Sequence, residues 1–277
     1  MTSHPLIIKA DGVTEPFASE KLARSLARSG ASPTIVRDVV SHIETELSDG
    51  MTTEDIYRHA RSLLKRTEKV AAAKYSLRRA LFSLGPTGFP FEDFLARLFE
   101  TRGYTTLTGT LLRGTCVEHE VDLVAHKDDH CFIAEAKFHA RPGVKSDLQV
   151  ALYSHARFLD LKGKMIANTG CAINEGYIIT NTKFTKAAIE YANCVGLTLI
   201  SWDYPKEKTL QDYIEEAGIY PITALPSLTT REKQALLAQG IVLCKDMPEK
   251  RDVLRAAGIA PKKIETIIEE GVNLCRS

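Results

Sequence analysis

Apolar residues recur at three- and four-residue intervals through the first third of the chain and at alternate positions in its middle. The two periods separate helices from strands. Leu6-Ile7-Ile8-Lys9 reads as a short strand and Ala10-Asp11-Gly12 as its turn, because Asp-Gly favours tight hairpins. Ser19 is placed to cap a helix over Glu20 to Ser29, where Leu22 and Leu26 fall at i, i+4 and Gly30 ends the run. A second helix spans Pro33 to Leu47 and stops before Asp49-Gly50. Thr53 caps a third over Glu54 to Lys65, and a fourth runs from Glu68 to Leu84. Gly85-Pro86-Thr87-Gly88 then breaks the chain.

Residues 89–218 change character. A helix over Phe91 to Arg102 precedes three strand-like runs, Thr105 to Leu112, Val117 to His126 and Cys131 to Phe138. A long helix from Lys145 to Leu161 follows. Then come a strand from Gly176 to Thr180, a helix from Lys183 to Cys194 and a strand from Leu197 to Trp202. Strands interleaved with helices predict an α/β core. Residues 225–277 return to short helices, Thr230 to Gln239, Arg251 to Ala257 and Lys262 to Glu270. The pattern divides the chain into three regions, 1–86, 89–218 and 225–277.

Composition narrows the class without deciding it. Apolar residues make up 44 % and charged residues 26 % of the 277 positions, as in ordinary soluble globular chains. The net charge of +1 neither implies nor excludes a nucleic-acid partner, so only local patches can speak to one. No apolar run approaches the ~18–20 residues that span a bilayer, and Met1 to Asp11 lacks the apolar core of a signal peptide, so no membrane partner is expected. None of the six cysteines forms a CxxC pair, which predicts a reduced, cytoplasmic protein with buried thiols.

The informative stretch is Val117-Glu118-His119-Glu120-Val121-Asp122, then Glu135-Ala136-Lys137, then Gln149 and Tyr153. Lys127-Asp128-Asp129-His130 reads as a four-residue hairpin loop. If His126 faces Cys131, opposed residue numbers sum to 257, so Asp122 faces Glu135 and Glu120 faces Lys137. Opposed residues hold their Cβ atoms about 4.5–5.5 Å apart, and residues two apart share a face. Asp122, Glu135 and Lys137, with Glu120 beside them, then form a polar cluster. Val121, Leu123, Ala125, Ala134, Ala136 and Phe138 face the core. Two close carboxylates repel each other unless a cation sits between them. Mg²⁺ takes oxygen ligands, lowers the pKa of a bound water and polarises a phosphoryl oxygen. A neighbouring ammonium positions the attacking water or offsets charge on the phosphate. Spacing alone fits equally well a solvated hairpin with cross-strand salt bridges.

Asp122 with Glu135-Ala136-Lys137 resembles the D…(D/E)-x-K motif of the PD-(D/E)xK nucleases, the restriction-endonuclease-like superfamily. Phe91-Glu92 resembles the helical motif carrying the extra acidic residue of Mrr-like enzymes. Gln149-Val-Ala-Leu-Tyr153 resembles the Q-x-x-x-Y element of the RecB- and Mrr-like branches. The resemblance covers residues 89–202 and implies an αβββαβ core. It also implies a metal-dependent nuclease, a DNA endonuclease with nucleic acid as partner. Asp122 and Glu135 would hold Mg²⁺ or Mn²⁺, Glu92 would complete the site, and Lys137 would assist the water. Gln149 would orient the phosphate or the lysine, with Tyr153 on the same helix face. His119 and His139 flank the cluster as candidate phosphate contacts. The rival reading is a nucleotide-sensing DNA-binding regulator whose nuclease fold no longer cuts.

Ile8-Lys9-Ala10-Asp11-Gly12, Phe17, Glu20-Lys21-Leu22 and Asp49-Gly50-Met51-Thr52-Thr53 resemble the ATP-cone domain over residues 6–86. The resemblance implies a mostly helical domain that binds ATP or dATP as a regulatory ligand. Lys9 and Lys21 would meet phosphates, and Thr53 would lie near the base or ribose. The family often has Arg where this chain has Ala10, which removes one phosphate contact. From Arg58 to Arg79 eight basic residues accompany one acid, Glu68, which fits either a solvated helix face or contact with a nucleic-acid backbone or nucleotide. Leu254 to Ile264 loosely resembles a helix-hairpin-helix turn, although a plain helical cap or assembly module fits better. A homo-oligomer is left open.

Overall fold

The computed structural model describes residues 5–166 and 169–276; the first four residues of the opening segment lie outside them. The chain starts with an antiparallel hairpin, β1 (Leu6–Ile8) and β2 (Thr14–Pro16). Four helices pack around it, α1 (Ser19–Arg28), α2 (Pro33–Glu46), α3 (Thr53–Thr67) and α4 (Lys69–Tyr75). They bury one core that includes Phe17, Leu26, Ile43, Ala60 and Leu64. The short α5 (Leu77–Phe82) leads out of this group.

Next come α6 (Phe89–Glu100), β3 (Thr105–Arg113), β4 (Glu118–Lys127), β5 (His130–Lys137), β6 (Lys145–Ser146), α7 (Leu148–Leu161), β7 (Glu175–Thr180), β8 (Lys183–Phe184), α8 (Lys186–Val195) and β9 (Thr198–Ile200). The main sheet has the order β3-β4-β5-β7-β9, with β3, β4 and β5 antiparallel and β5, β7 and β9 parallel. Parallel neighbours need crossover connections, and α7 and α8 supply them on one sheet face. That face buries Val124, Ile133, Ile178 and Leu199 beneath Phe158 and Ala188. The other face buries Leu123, Ala125, Phe132 and Ala134 against Phe91, Phe94 and Phe99 of α6.

The final helices are α9 (Leu210–Ala217), α10 (Thr230–Ala238), α11 (Arg251–Ala256) and α12 (Pro261–Arg276). They extend the α6-side core without a break, joining Ile214, Leu236, Leu254 and Ile267 to Leu77, Leu81 and Leu84. Arg97 donates to Asp246 at 3.0 Å and Thr223 to the Ala80 carbonyl at 2.7 Å, pinning this segment to α6 and α5.

Local chemistry moved several predicted features. Thr52, not Thr53, caps α3, in a capping box with Asp55, and Ser19 lies inside α1 behind an Ala18 that makes no side-chain cap. The predicted fourth helix is split at Ser76, whose hydroxyl bonds the Ala72 carbonyl. The hairpin turn has two residues, since Lys127 pairs with His130 and Asp128 takes φ 51. The 257 register holds from Lys127↔His130 to Leu123↔Ala134 and stops there, short of Asp122 and Glu135. Val121 joins the α7 side rather than the face of Leu123. Between these two residues the β3–β4 pairing also skips Asp122, opposite Gly109 at φ 54. Sequence periodicity did not reveal α9.

Candidate active site and ligand cleft

The strand pair parts where the charged residues begin. Past Leu123↔Ala134 the Ala136 N–H donates to Asp122 Oδ2 at 2.8 Å, so a carboxylate takes the place of a ladder acceptor. Glu135 is 8 % exposed, and a buried carboxylate needs partners to stay ionised. It has three. The Tyr153 hydroxyl donates to Oε1 at 2.5 Å, the Lys137 ammonium lies 3.3 Å from the same oxygen, and Arg157 donates to Oε2 at 2.5 Å. Lys137 also donates to the Tyr153 hydroxyl at 2.8 Å. Tyr153 and Arg157 stand at i, i+4 on α7, so one helix face serves both oxygens.

Glu92, in the first turn of α6, completes an acidic group. Burial, then the charges of Asp122, Asp93, Glu120 and Glu135, push its pKa up to about 7. Burial and the Glu135 charge push Asp122 up to about 6, against the opposing pull of the Ala136 N–H, Arg157 and Lys137. Burial works against the Lys137 ammonium, but Tyr153 and Glu135 outweigh it and hold its pKa above the ordinary lysine value. Lys137 therefore keeps its proton.

Of the residues picked from sequence, Glu92, Asp122, Glu135, Lys137 and Tyr153 converge here. Gln149 is exposed near the start of α7 and makes no side-chain hydrogen bond among the described residues. His119 turns to Asp160 at 2.8 Å, and His139 to Ser146 at 3.1 Å. Arg157 was missed. Its signal was the spacing 149, 153, 157, which continues one helix face by a further turn.

Among the described residues, no three His, Cys, Asp or Glu side chains are arranged to hold a metal ion. The donor chemistry still suits a hard divalent cation. The charges of Asp122 and Glu135 act on Glu92, and that of Glu135 on Asp122, driving two of the three carboxylates toward protonation, a stress that a divalent ion relieves. Arg157 also pairs with Glu135 Oε2 at 2.5 Å, so a shared ion would have to accommodate this guanidinium.

The second concentration of charge is a cleft of about 1190 Å³ between the N-terminal helices and the sheet domain. Lys9, Lys21 and Thr53 all line it. On α1, Lys21, Arg24 and Arg28 follow at i, i+3 and i+7, presenting one cationic face. Arg78 and Arg79 add the end of the basic run. Glu54 is the one acid among the lining residues, and it pairs with Arg79. Tyr57 and Tyr75 stack at 5.1 Å with nearly parallel rings. Lys9 and Lys21 share the Glu15 carboxylate at 2.6 and 3.2 Å, so an anion already lies between the two lysines expected to meet phosphates. Elsewhere in the basic run, Arg58 is paired with Asp55 and Arg61 donates to Ser76. In the C-terminal segment Lys263 is held by Glu232 at 2.6 Å.

Comparison with known proteins divides the chain in the same order. Residues 5–81 match the ATP cone domain, residues 86–204 the family described as Restriction endonuclease, and residues 220–275 the family described as AF1548-like, C-terminal. An Archaeoglobus fulgidus protein described only as "Uncharacterized protein" is 37 % identical over 177 residues, spanning 64 % of this chain and 97 % of that protein. The solved "Crystal Structure of Protein of Unknown Function AF1548" is 35 % identical, with a TM-score of 0.55, and covers 68 % of this chain and 98 % of its own.

Proposed function

Because this chain belongs to the AF1548-like family, with an ATP cone ahead of a restriction-endonuclease-like domain, we propose that it is a metal-dependent DNA endonuclease governed by ATP or dATP. The observation that carries the reading is the convergence of Asp122, Glu135 and Lys137 where β4 and β5 separate. Glu92, Asp122 and Glu135 are the residues that would hold Mg²⁺ or Mn²⁺. Such an ion, when bound, polarises a phosphoryl oxygen and eases deprotonation of water. The protein's own groups do the rest. Lys137 stays protonated, so it acts as a cation that offsets charge building on the phosphate rather than as a base. Tyr153 fixes the direction of that ammonium and braces Glu135. Asp122 holds the strand position of Ala136, between the two charged residues. Gln149, exposed one helical turn before Tyr153 on α7, would orient the phosphate.

Digestion of plasmid and linear DNA with Mg²⁺ or Mn²⁺, with and without ATP and dATP, tests the proposal. Cutting should require the divalent ion, and Glu135→Gln or Lys137→Ala should slow it at least about a hundredfold. A pure preparation that cuts nothing under any of these conditions, with variants indistinguishable from it, ends the enzyme reading. The grip of Arg157 on Glu135 favours the second reading, a nucleotide-sensing regulator that binds DNA without cutting. Calorimetry with Mg²⁺ separates the two, since a retired site should give no heat that depends on Asp122.

A further inference from the structure

Three residues of the cleft come from outside the N-terminal helices: Pro142, Trp202 and Gln211. The cleft also exceeds the roughly 300–1,000 Å³ usual for a small-molecule site, so it has room for a ligand that touches both sides. Arg78 marks the junction. Its guanidinium lies 5.7 Å from the Trp202 ring and 5.9 Å from that of Phe82. Its Nε is buried with no hydrogen-bond partner among the described residues. The guanidinium as a whole lines the cleft, so its charge faces whatever ligand bridges the two sides.

The far wall is tied to the charged cluster through buried residues. The Trp202 backbone N–H donates to the Thr182 carbonyl at 3.2 Å. Asn181 exchanges two hydrogen bonds with the His139 backbone, at 2.9 and 2.8 Å. Thr180 donates to the Lys137 carbonyl at 2.7 Å. Thr180, Asn181 and Thr182 are each at most 1 % exposed. After Lys137 ends β5, a loop leads to Pro142 and to Gly143, where an added Cβ would lie 3.1 Å from the Ala10 carbonyl oxygen.

We propose that the nucleotide site is shared: a nucleotide held by the ATP cone also rests against Trp202 and Pro142, and this contact couples its binding to the strand carrying Glu135 and Lys137. The proposal rests on the reading that the cone binds nucleotide.

Trp202 is the chain's single tryptophan, so its emission reports on this wall alone. The full chain is titrated with ATP and with dATP while Trp202 emission and its quenching by acrylamide are followed, and calorimetry and thermal melting are run in parallel. The expected result is a saturable emission change with the calorimetric midpoint, shielding of Trp202 from acrylamide, and binding weakened roughly fivefold in Trp202→Leu, as loss of an aromatic contact predicts. The exposed Pro142→Ala change should weaken binding in the same direction without threatening the fold. Calorimetric binding with unchanged Trp202 emission and quenching, or with the same affinity in both variants, overturns the shared site and leaves the cone as sole binder. No heat and no thermal shift overturns nucleotide binding itself, and the shared site with it.

Discussion

The two charged regions of this protein meet the problem of burying charge in opposite ways. In the sheet site acid exceeds base, yet the most buried acid, Glu135, is fully answered by Tyr153, Lys137 and Arg157. In the cleft base exceeds acid, and the single lining acid is already taken by Arg79. The first arrangement is closed on itself, and something must yield before a metal or a phosphate enters. The second, an open cleft, keeps more cations than acids even with Lys9 and Lys21 on Glu15 and Arg28 on Asp212 and Glu215, a surplus that a polyanion would neutralise. If the open region takes nucleotide and the closed one must rearrange for substrate, as proposed, the contrast would suit control of one by the other.

The largest expected effect tests the open region. A nucleotide that binds only the folded state stabilises it by about 2.7 kcal/mol at 100 times its Kd. For a chain of this length that is a Tm rise of roughly 5–10 °C. Replacing Lys9 and Lys21 together with Ala should remove most of this rise, as measured by thermal melting with ATP and dATP. A double variant that keeps the full rise would show that the phosphates lie elsewhere in the cleft.

A smaller effect tests the closed region. If Arg157 competes with the divalent ion for Glu135, Arg157→Met should bind Mg²⁺ about fivefold more tightly, equivalent to ~1 kcal/mol. Calorimetry reads this directly. Weaker binding would mean that Arg157 holds Glu135 in place for the ion instead of excluding it.

These two regions were not equally legible. Asp122, Glu135 and Lys137 were readable from strand alternation and the D…ExK pattern, although the expected register ended at Leu123↔Ala134, just short of them, while Glu92 and Tyr153, on α6 and α7, were readable only through resemblance. The closure was not, because Arg157 acts across space from α7 and Asp122 leaves the ladder to catch a backbone N–H. Lys9, Lys21 and Thr53 were readable through resemblance. Trp202 and Pro142 were not, because only the tertiary fold brings them to the cleft. The split at Ser76 has the same origin, since its hydroxyl is claimed by Tyr57 and Arg61 of α3, which no helical period records.

The acidic cluster also predicts a pH dependence. Asp122 rises from 3.8 to about 6 and Glu92 from 4.5 to about 7 on folding. The folded state therefore binds more protons than the unfolded one across this window. The contribution of these groups to stability is fully present below about pH 4 and is lost as pH rises toward 7. Thermal melts in chelator should decline over that range, less steeply in Asp122→Asn, and Mg²⁺ should lift the upper end most. An identical slope in Asp122→Asn would remove Asp122 from the account. Asp160 does not interfere. Burial would raise its pKa, but the Cys116 N–H, His119 and the Val117 N–H together outweigh this and hold it below the usual carboxylate range, so it titrates outside the window.

The smallest effect concerns the anion that the open region already holds. Glu15 lies 2.6 Å from Lys9 and 3.2 Å from Lys21, and hydrogen bonding to Lys9, outweighing a desolvation penalty and aided by Lys21, keeps its pKa low. A triphosphate arriving at these lysines must displace that carboxylate or share them with it. Glu15→Gln keeps the size of the side chain and removes its charge, so nucleotide should bind about two- to threefold more tightly, with little change in the unliganded Tm, because exposed ion pairs contribute little to folding. The gain should shrink as salt rises, since screening weakens the competitor too. Weaker nucleotide binding in Glu15→Gln would reverse its role: the carboxylate would then be the brace that aims both ammonium groups into the cleft.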